Sequence, residues 1–378
     1  MTQQDADIIV IGAGIIGLAH AYLAARAGKR VIVLERSPAP VGSSIANFGM
    51  LWPIGQPPGK LFSMAMESRE LWLEILQSAE LLHTGTGSLH VACHEDEAQV
   101  AKEFAALGPA HGYHCEWLDA AAALERSKAL RRDNIQGALW SDTEITVDPR
   151  EVLRKLPLFL QERYSVEFHW CCPAYAIEDR CVKTTYGDWH ADRILVCTGS
   201  DFESLYPEFF AQSGLTRCKL QMLRTEPQPA GWKLGPALAG GLTLQFYPSF
   251  TICPSLPVLR DRIQKQMPEY VRFGIHTMVS QTSLGELTLG DSHEYGLSPS
   301  PFNREEIDRL VLEHLQSFLS VPTLSIAERW HGVYAKHPQK PYIRFQPEDR
   351  VEIITGLGGA GMTLSFGVAA ETFRISAE

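Results

Sequence analysis

Residues 8–35 read IIVIGAGIIGLAHAYLAARAGKRVIVLE, and this stretch decides the fold. An apolar run over 7–11, a glycine turn, a helix-like stretch over 15–27 and a second apolar run over 30–34 predict one βαβ unit. Gly12, Gly14 and Gly17 stand at G-x-G-x-x-G spacing between strand and helix, and Glu35 ends the second strand about 20 residues on. Each residue type has a physical reason. Gly12 permits the tight turn, Gly14 lets a pyrophosphate approach the helix N-terminus, and Gly17 lets helix and strand pack closely. Glu35 would accept hydrogen bonds from ribose hydroxyls. With strand, helix and acidic residue in register, the glycines read as more than packing. They predict a dinucleotide held by Gly12, Ala13, Gly14, Ile15, Ile16 and Gly17, and leave FAD and NAD both open.

Outward from this unit, 378 residues with 45% hydrophobic content suffice for two packed cores. A net charge of -10 and the lack of any Lys/Arg block argue against a nucleic-acid partner. The eight cysteines are scattered without CxxC pairs, which reads as reduced thiols in a cytoplasmic protein. Asp5 and Asp7 stand where a secretion signal would be basic, and no run of eighteen apolar residues offers a membrane span.

The loop over 37–59, rich in Gly, Ser and Pro, is far too long for a plain connection and reads as functional. Helices are expected over 61–82, within 118–130, over 148–163 with an Asp-Pro start, over 304–319, and from the C-terminal glycines to about 374. Strands over 166–172, 175–177, 182–185 and 193–196 should return to the first sheet, joined by 351–355. Strands over 220–225, 243–247, 275–282 and 286–289 should form a separate antiparallel sheet. The expected fold is therefore α/β: a doubly wound Rossmann-type domain with helices on both faces (1–82, 141–214, 326–378) and a smaller, mainly antiparallel-sheet substrate domain (83–140, 215–325).

The second glycine cluster tilts the cofactor toward a flavin. Gly358, Gly359, Ala360, Gly361, Met362 and Thr363 open a helix whose N-terminus favours the negative charge that a reduced flavin develops near N1 and O2. On 12–35, Gly42-Ser-Ser-Ile-Ala-Asn47-Phe-Gly49, Pro173-Ala174, Cys197-Thr198-Gly199 and 356–361, nearly the whole chain resembles the D-amino-acid oxidase-type flavoproteins, glycine and sarcosine oxidases among them. The resemblance implies FAD, contacted by Arg36, Ser43, Ser44, Ala46, Asn47 and Gly49, by Cys197, Thr198 and Gly199, and on its adenine by Ala174; no clear attachment residue stands in the sequence, so the FAD is expected to be non-covalent. Residues 47–57, 290–295 and 330–334 further resemble a bacterial subfamily associated with aminophosphonate breakdown. That implies oxidation of 2-aminoethylphosphonate, or an N-methyl or related form, at its C–N bond.

Amino-acid-oxidising relatives clamp a carboxylate with an Arg shortly after a Trp-x-Gly segment, and this sequence has Tyr334 there, followed by Lys336 and His337. A tetrahedral phosphonate suits such single donors better than a planar carboxylate does. Solvated loop residues are the plain alternative for Lys336 and His337. His276, His293 and Tyr295 are candidates for the flavin's reacting face, Arg69 for an anion ligand, and Trp52 for pocket cover or core. Gly290-Asp-Ser292 lacks the second glycine of a serine-hydrolase elbow, and His90, Cys93 and His94 lack a second cluster that would complete a metal set. The expected chemistry is hydride transfer to flavin N5, imine hydrolysis and reoxidation by O2. Alternatives are a D-amino acid, glycine or sarcosine oxidase or dehydrogenase using another acceptor, a NAD enzyme, and a non-catalytic nucleotide-holding module.

Overall fold

The computed structural model describes residues 4–375, so the expected domain ends at 1–3 and 376–378 lie outside it. Five strands run parallel in the order Glu167–His169, Val31–Leu34, Gln4–Ile11, Gly187–Val196, Val351–Thr355, with Ile343–Glu348 antiparallel beyond the last. All four residues of Val31–Leu34 are buried, as a sheet covered on both faces requires. The helices Ile15–Arg26, Lys60–Ser78, Pro149–Tyr164 and Gly361–Ile375 pack on one face, where Val10, Leu18, Trp72, Leu153 and Phe366 share a core. Asp148 caps the third of these helices as expected, accepting hydrogen bonds from the N–H groups of Arg150 and Glu151 at 2.9 and 3.4 Å.

The opposite face departs from expectation. Instead of helices, the hairpin Ala174–Glu178 and Cys181–Thr184, continued by the first half of Gly187–Val196, covers it together with the short helix Pro207–Gln212. Val182, Trp189 and Phe210 bury the other side of Ile9 and Ile32. An alternating hairpin can present one apolar face as a helix does, and so takes the helix's place.

Among the described residues the second sheet has nine strands against eight in the first, so it is not the smaller one in strand number. It is antiparallel except where Ala237–Gly240 runs parallel to Ser88–Ala92. Ile326–Lys336, grouped in the sequence reading with the nucleotide-binding segments, pairs instead along Thr216–Thr225 in this second sheet. The strand expected over 243–247 is a 3-10 helix, Gly241–Gln245, because the Thr243 hydroxyl donates back to the Gly240 carbonyl at 2.6 Å and holds the turn closed. The strand expected over 275–282 shrinks to Met278–Gln281, and the helix expected within 118–130 shrinks to Ala120–Arg126, capped by Asp119 at the end of strand Cys115–Asp119. Helices Glu95–Leu107 and Leu256–Gln266 were not anticipated.

Candidate active site

The glycine turn is built as its spacing requires. Gly12 has φ +105°, and a Cβ there would lie 2.5 Å from the Cys197 carbonyl oxygen; a Cβ at Gly17 would run into the Gly12 carbonyl. Glu35 accepts hydrogen bonds from the Ala13 N–H at 2.8 Å and the Ser37 N–H at 2.9 Å, which ties the turn to the strand end and leaves lone pairs for a ribose. A groove of about 180 Å³ runs past Gly12, Gly14, Glu35, Arg36, Ser43 and Ser44, and is closed by Ala174, Cys197, Thr198 and Gly199. The exposed Arg36 guanidinium meets Asp201 at 2.5 Å across the groove mouth.

The groove continues between Ile15, Ser43, Ser44 and Asn47 on one side and Gly358, Gly359, Gly361 and Met362 on the other. Asn47 holds the loop in shape: its amide donates to the Ser43 and Ser44 carbonyls, both at 2.9 Å, and its oxygen accepts from the Gly49 N–H at 2.7 Å. The helix Gly361–Ile375 carries no acidic residue in its first turn, so its N-terminus faces the space with its positive end uncompensated. Thr363 also braces the wall, accepting from the Trp52 N–H at 2.9 Å. Ala13, Ile16, Ala46 and Gly49 support this surface without lining it. Gly49 has φ +72°, and a Cβ there would run into the Val147 carbonyl.

Beyond lies a cavity of about 480 Å³, where both sheets meet. It gathers His276, His293, Tyr334, Lys336 and His337, together with Asp291 and Lys340, which the sequence reading did not single out. The signal for Asp291 was present: it lies two residues before His293, so an extended backbone turns both to one side. His276 Nε2 is 3.3 Å from Asp291 Oδ1, and His293 Nε2 is 3.9 Å from Oδ2. The first contact is short but badly angled, so Asp291 Oδ1 has no hydrogen-bond partner among the described residues, and neither has His276 Nδ1. His293 Nδ1 is held by the Gly274 carbonyl at 2.9 Å. Burial pushes the Asp291 carboxyl well above its usual range and His276 well below, and lowers His293 to about 4. With no cation in the cavity the uncharged forms are favoured at all three, and an ammonium arriving beside Asp291 would favour its carboxylate.

Phe246 and Tyr247 wall this end, with the Phe246 ring 4.4 Å from the His276 ring. Lys336 Nζ donates to the Tyr295 hydroxyl at 3.2 Å. Tyr334 is buried, and desolvation pushes its phenol well upward, keeping it a neutral donor. His337 Nδ1 accepts from the Gln339 and Lys340 N–H groups, both at 3.0 Å, so it shapes the loop that carries Lys340. Arg69 does not reach the cavity: its guanidinium donates to the Thr143 carbonyl and pairs with Glu70, each at 2.7 Å. Among the described residues no arginine lines the cavity. Trp52 is both wall and core. His90 packs between Trp52 and Phe250 while Cys93 faces the Ser317 carbonyl, so the pair does not converge on a metal position.

The comparisons agree with this geometry. Glycine oxidase of Bacillus licheniformis is 22% identical over 95% of this chain and 89% of its own length. A bifunctional tRNA 5-methylaminomethyl-2-thiouridine biosynthesis protein of Magnetococcus marinus is 26% identical over 55% of this chain, the match spanning only 32% of that relative. Among solved structures, glycine oxidase from Geobacillus kaustophilus superposes with a TM-score of 0.77 at 17% identity, covering 100% of this chain and 96% of its own. L-proline dehydrogenase from P. horikoshii gives 0.77 at 20%, covering 99% and 94%. At such identities the structures speak for a shared fold. The family described as FAD dependent oxidoreductase matches residues 7–374, and with a groove whose glycines leave room for the dinucleotide, this chain belongs to that family and FAD is its cofactor.

Proposed function

We propose that the protein oxidises the C–N bond of a small primary or secondary amine that also bears a tetrahedral anion, 2-aminoethylphosphonate or an N-methyl or related form. The observation that carries this is the charge layout of the cavity. Lys336, Lys340 and the buried Asp291 all line it, and no arginine among the described residues supplies a planar fork for a carboxylate.

Gly12 to Gly17 would hold the pyrophosphate, Glu35 the ribose, Ala174 the adenine, and Ser43, Ser44, Asn47 and Thr198 the remaining polar edges. When bound, FAD supplies a two-electron acceptor that takes hydride at N5. The helix beginning at Gly361 sets its positive end against the charge that then develops. Tyr334, Lys336 and His337 steady the anion, and Phe246, Tyr247 and Trp52 exclude water around the reacting carbon. The product imine hydrolyses in water to an aldehyde and ammonia or methylamine. We propose O2 as the electron acceptor, and a cytoplasmic location, which suits eight cysteines that are all free.

Anaerobic mixing with 2-aminoethylphosphonate, its N-methyl form, glycine, sarcosine and D-alanine tests this reading. Rapid bleaching of the flavin by the phosphonates alone supports it; bleaching by carboxylate amines alone refutes it. The second outcome is what the likeness to glycine oxidase over most of the chain favours. Reoxidation by air or only by a dye then separates oxidase from dehydrogenase.

A further inference from the structure

We propose that Asp291, set between His276 and His293, is the receptor for the substrate's ammonium group and takes the proton that must leave before hydride transfer. This rests on the amine-oxidising reading but not on the identity of the anion. Asp291 is 6% exposed, lines the cavity and its narrow neck alike, and keeps one carboxylate oxygen without a hydrogen-bond partner among the described residues. A buried carboxylate oxygen left bare costs stability unless a ligand completes it. The groups facing it are His276, His293, Tyr247, Tyr295, Tyr334 and Cys218, none of them a fixed cation, while the Lys336 ammonium donates to the Tyr295 hydroxyl at 3.2 Å instead. The substrate's ammonium group would be that cation.

The step balances. An N–H bond of the ammonium breaks, an O–H bond forms on Asp291, and the electron pair stays on nitrogen. The α-C–H then leaves with its pair as hydride to FAD, and C=N forms. His276 Nε2 and His293 Nε2, at 3.3 and 3.9 Å from the two carboxylate oxygens, flank the carboxyl and fix where it sits. Burial brings the two partners closer in proton affinity: it raises the carboxyl and lowers a buried ammonium. His276 and His293 are positioning residues in this scheme, since they act through Asp291.

Calorimetric titration of the dithionite-reduced holoenzyme, which cannot turn over, reads the binding directly. Each amine is paired with its des-amino analogue: 2-aminoethylphosphonate with ethylphosphonate, glycine with acetate. Asp291→Asn should weaken the amine by roughly ten- to a hundredfold and leave its analogue within about twofold. Equal losses for both, or no loss for the amine, overturn the proposal. In the oxidised enzyme, flavin reduction in the variant should climb about tenfold for each pH unit toward the amine's own pKa, whereas the parent should not. An unchanged profile counts against Asp291. If Asp291→Asn does not retain flavin, Asp291→Ser, smaller and uncharged, repeats both measurements. The same three side chains could cluster around a divalent cation; a stoichiometric metal that disappears in the variant would also overturn the proposal. If only the glycine pair binds, the phosphonate reading fails while Asp291 is still tested.

Discussion

The two ends of the cavity system are built on different principles. The nucleotide end is made of backbone: glycines whose missing Cβ atoms are the binding surface, and a carboxylate, Glu35, tied to a turn 22 residues upstream. The substrate end is made of side chains from strands far apart in sequence, where Cys218 pairs with both Tyr295 and Tyr334. A backbone site fails abruptly, because there is nothing to repack. A side-chain site changes affinity and selectivity by degrees.

The largest effect should come from Gly17→Val. The added side chain must displace the Gly12 carbonyl, so the protein should purify without flavin absorbance. Retained flavin would break the contrast between the two ends.

Acid should act next, through buried imidazoles: three in the half built on the second sheet, and His20 on the helix Ile15–Arg26 of the nucleotide half. His20 and His293 are lowered by burial to about 4, His90 and His314 to about 3. The unfolded chain protonates these rings near 6.5 while the folded one resists, so stability is full above that pH. It falls as pH drops toward 4, each group contributing on the order of a few kcal/mol. Asp291 works in the opposite sense, since its carboxyl is raised and the stability it contributes is lost as pH rises. Asp291→Asn should therefore raise the thermal midpoint at neutral pH while weakening amine binding. Melting curves across pH check both statements.

Lys336→Met should raise KM for a phosphonate roughly tenfold and make binding less sensitive to salt, with flavin content unchanged. Glu35→Gln removes a charge that two backbone N–H groups share, and should weaken FAD by about tenfold without altering substrate choice. Arg69→Ala should change steady-state kinetics by less than about twofold, since its guanidinium is spent on Thr143 and Glu70 outside the cavity. A larger effect would mean that the helix carrying it communicates with the site.

How much was legible follows the same division. Gly12 to Glu35 could be read because one βαβ unit contains its own reason: strand, turn, helix and acidic end lie within one short stretch. The Asp148 cap was equally local. On the sheet's second face only the short helix Pro207–Gln212 stands where helices were expected, because a hairpin with Val182 and Trp189 satisfies the same burial. For Asp291 the sequence offered only its spacing of two from His293, which does not say what the pair faces; only the approach of His276 makes it chemistry.

From the sequence by itself came the α/β class, the dinucleotide turn, the second glycine cluster and the missing arginine, since backbone conformation and residue type are set by neighbours in the chain. The tertiary structure decided that Ile326–Lys336 joins the second sheet, that Arg69 stays outside, and that Asp291 lies between two imidazoles with one oxygen bare. The reason is physical: strand pairing and the burial of a charge depend on which distant segments meet, and no local pattern encodes their distance.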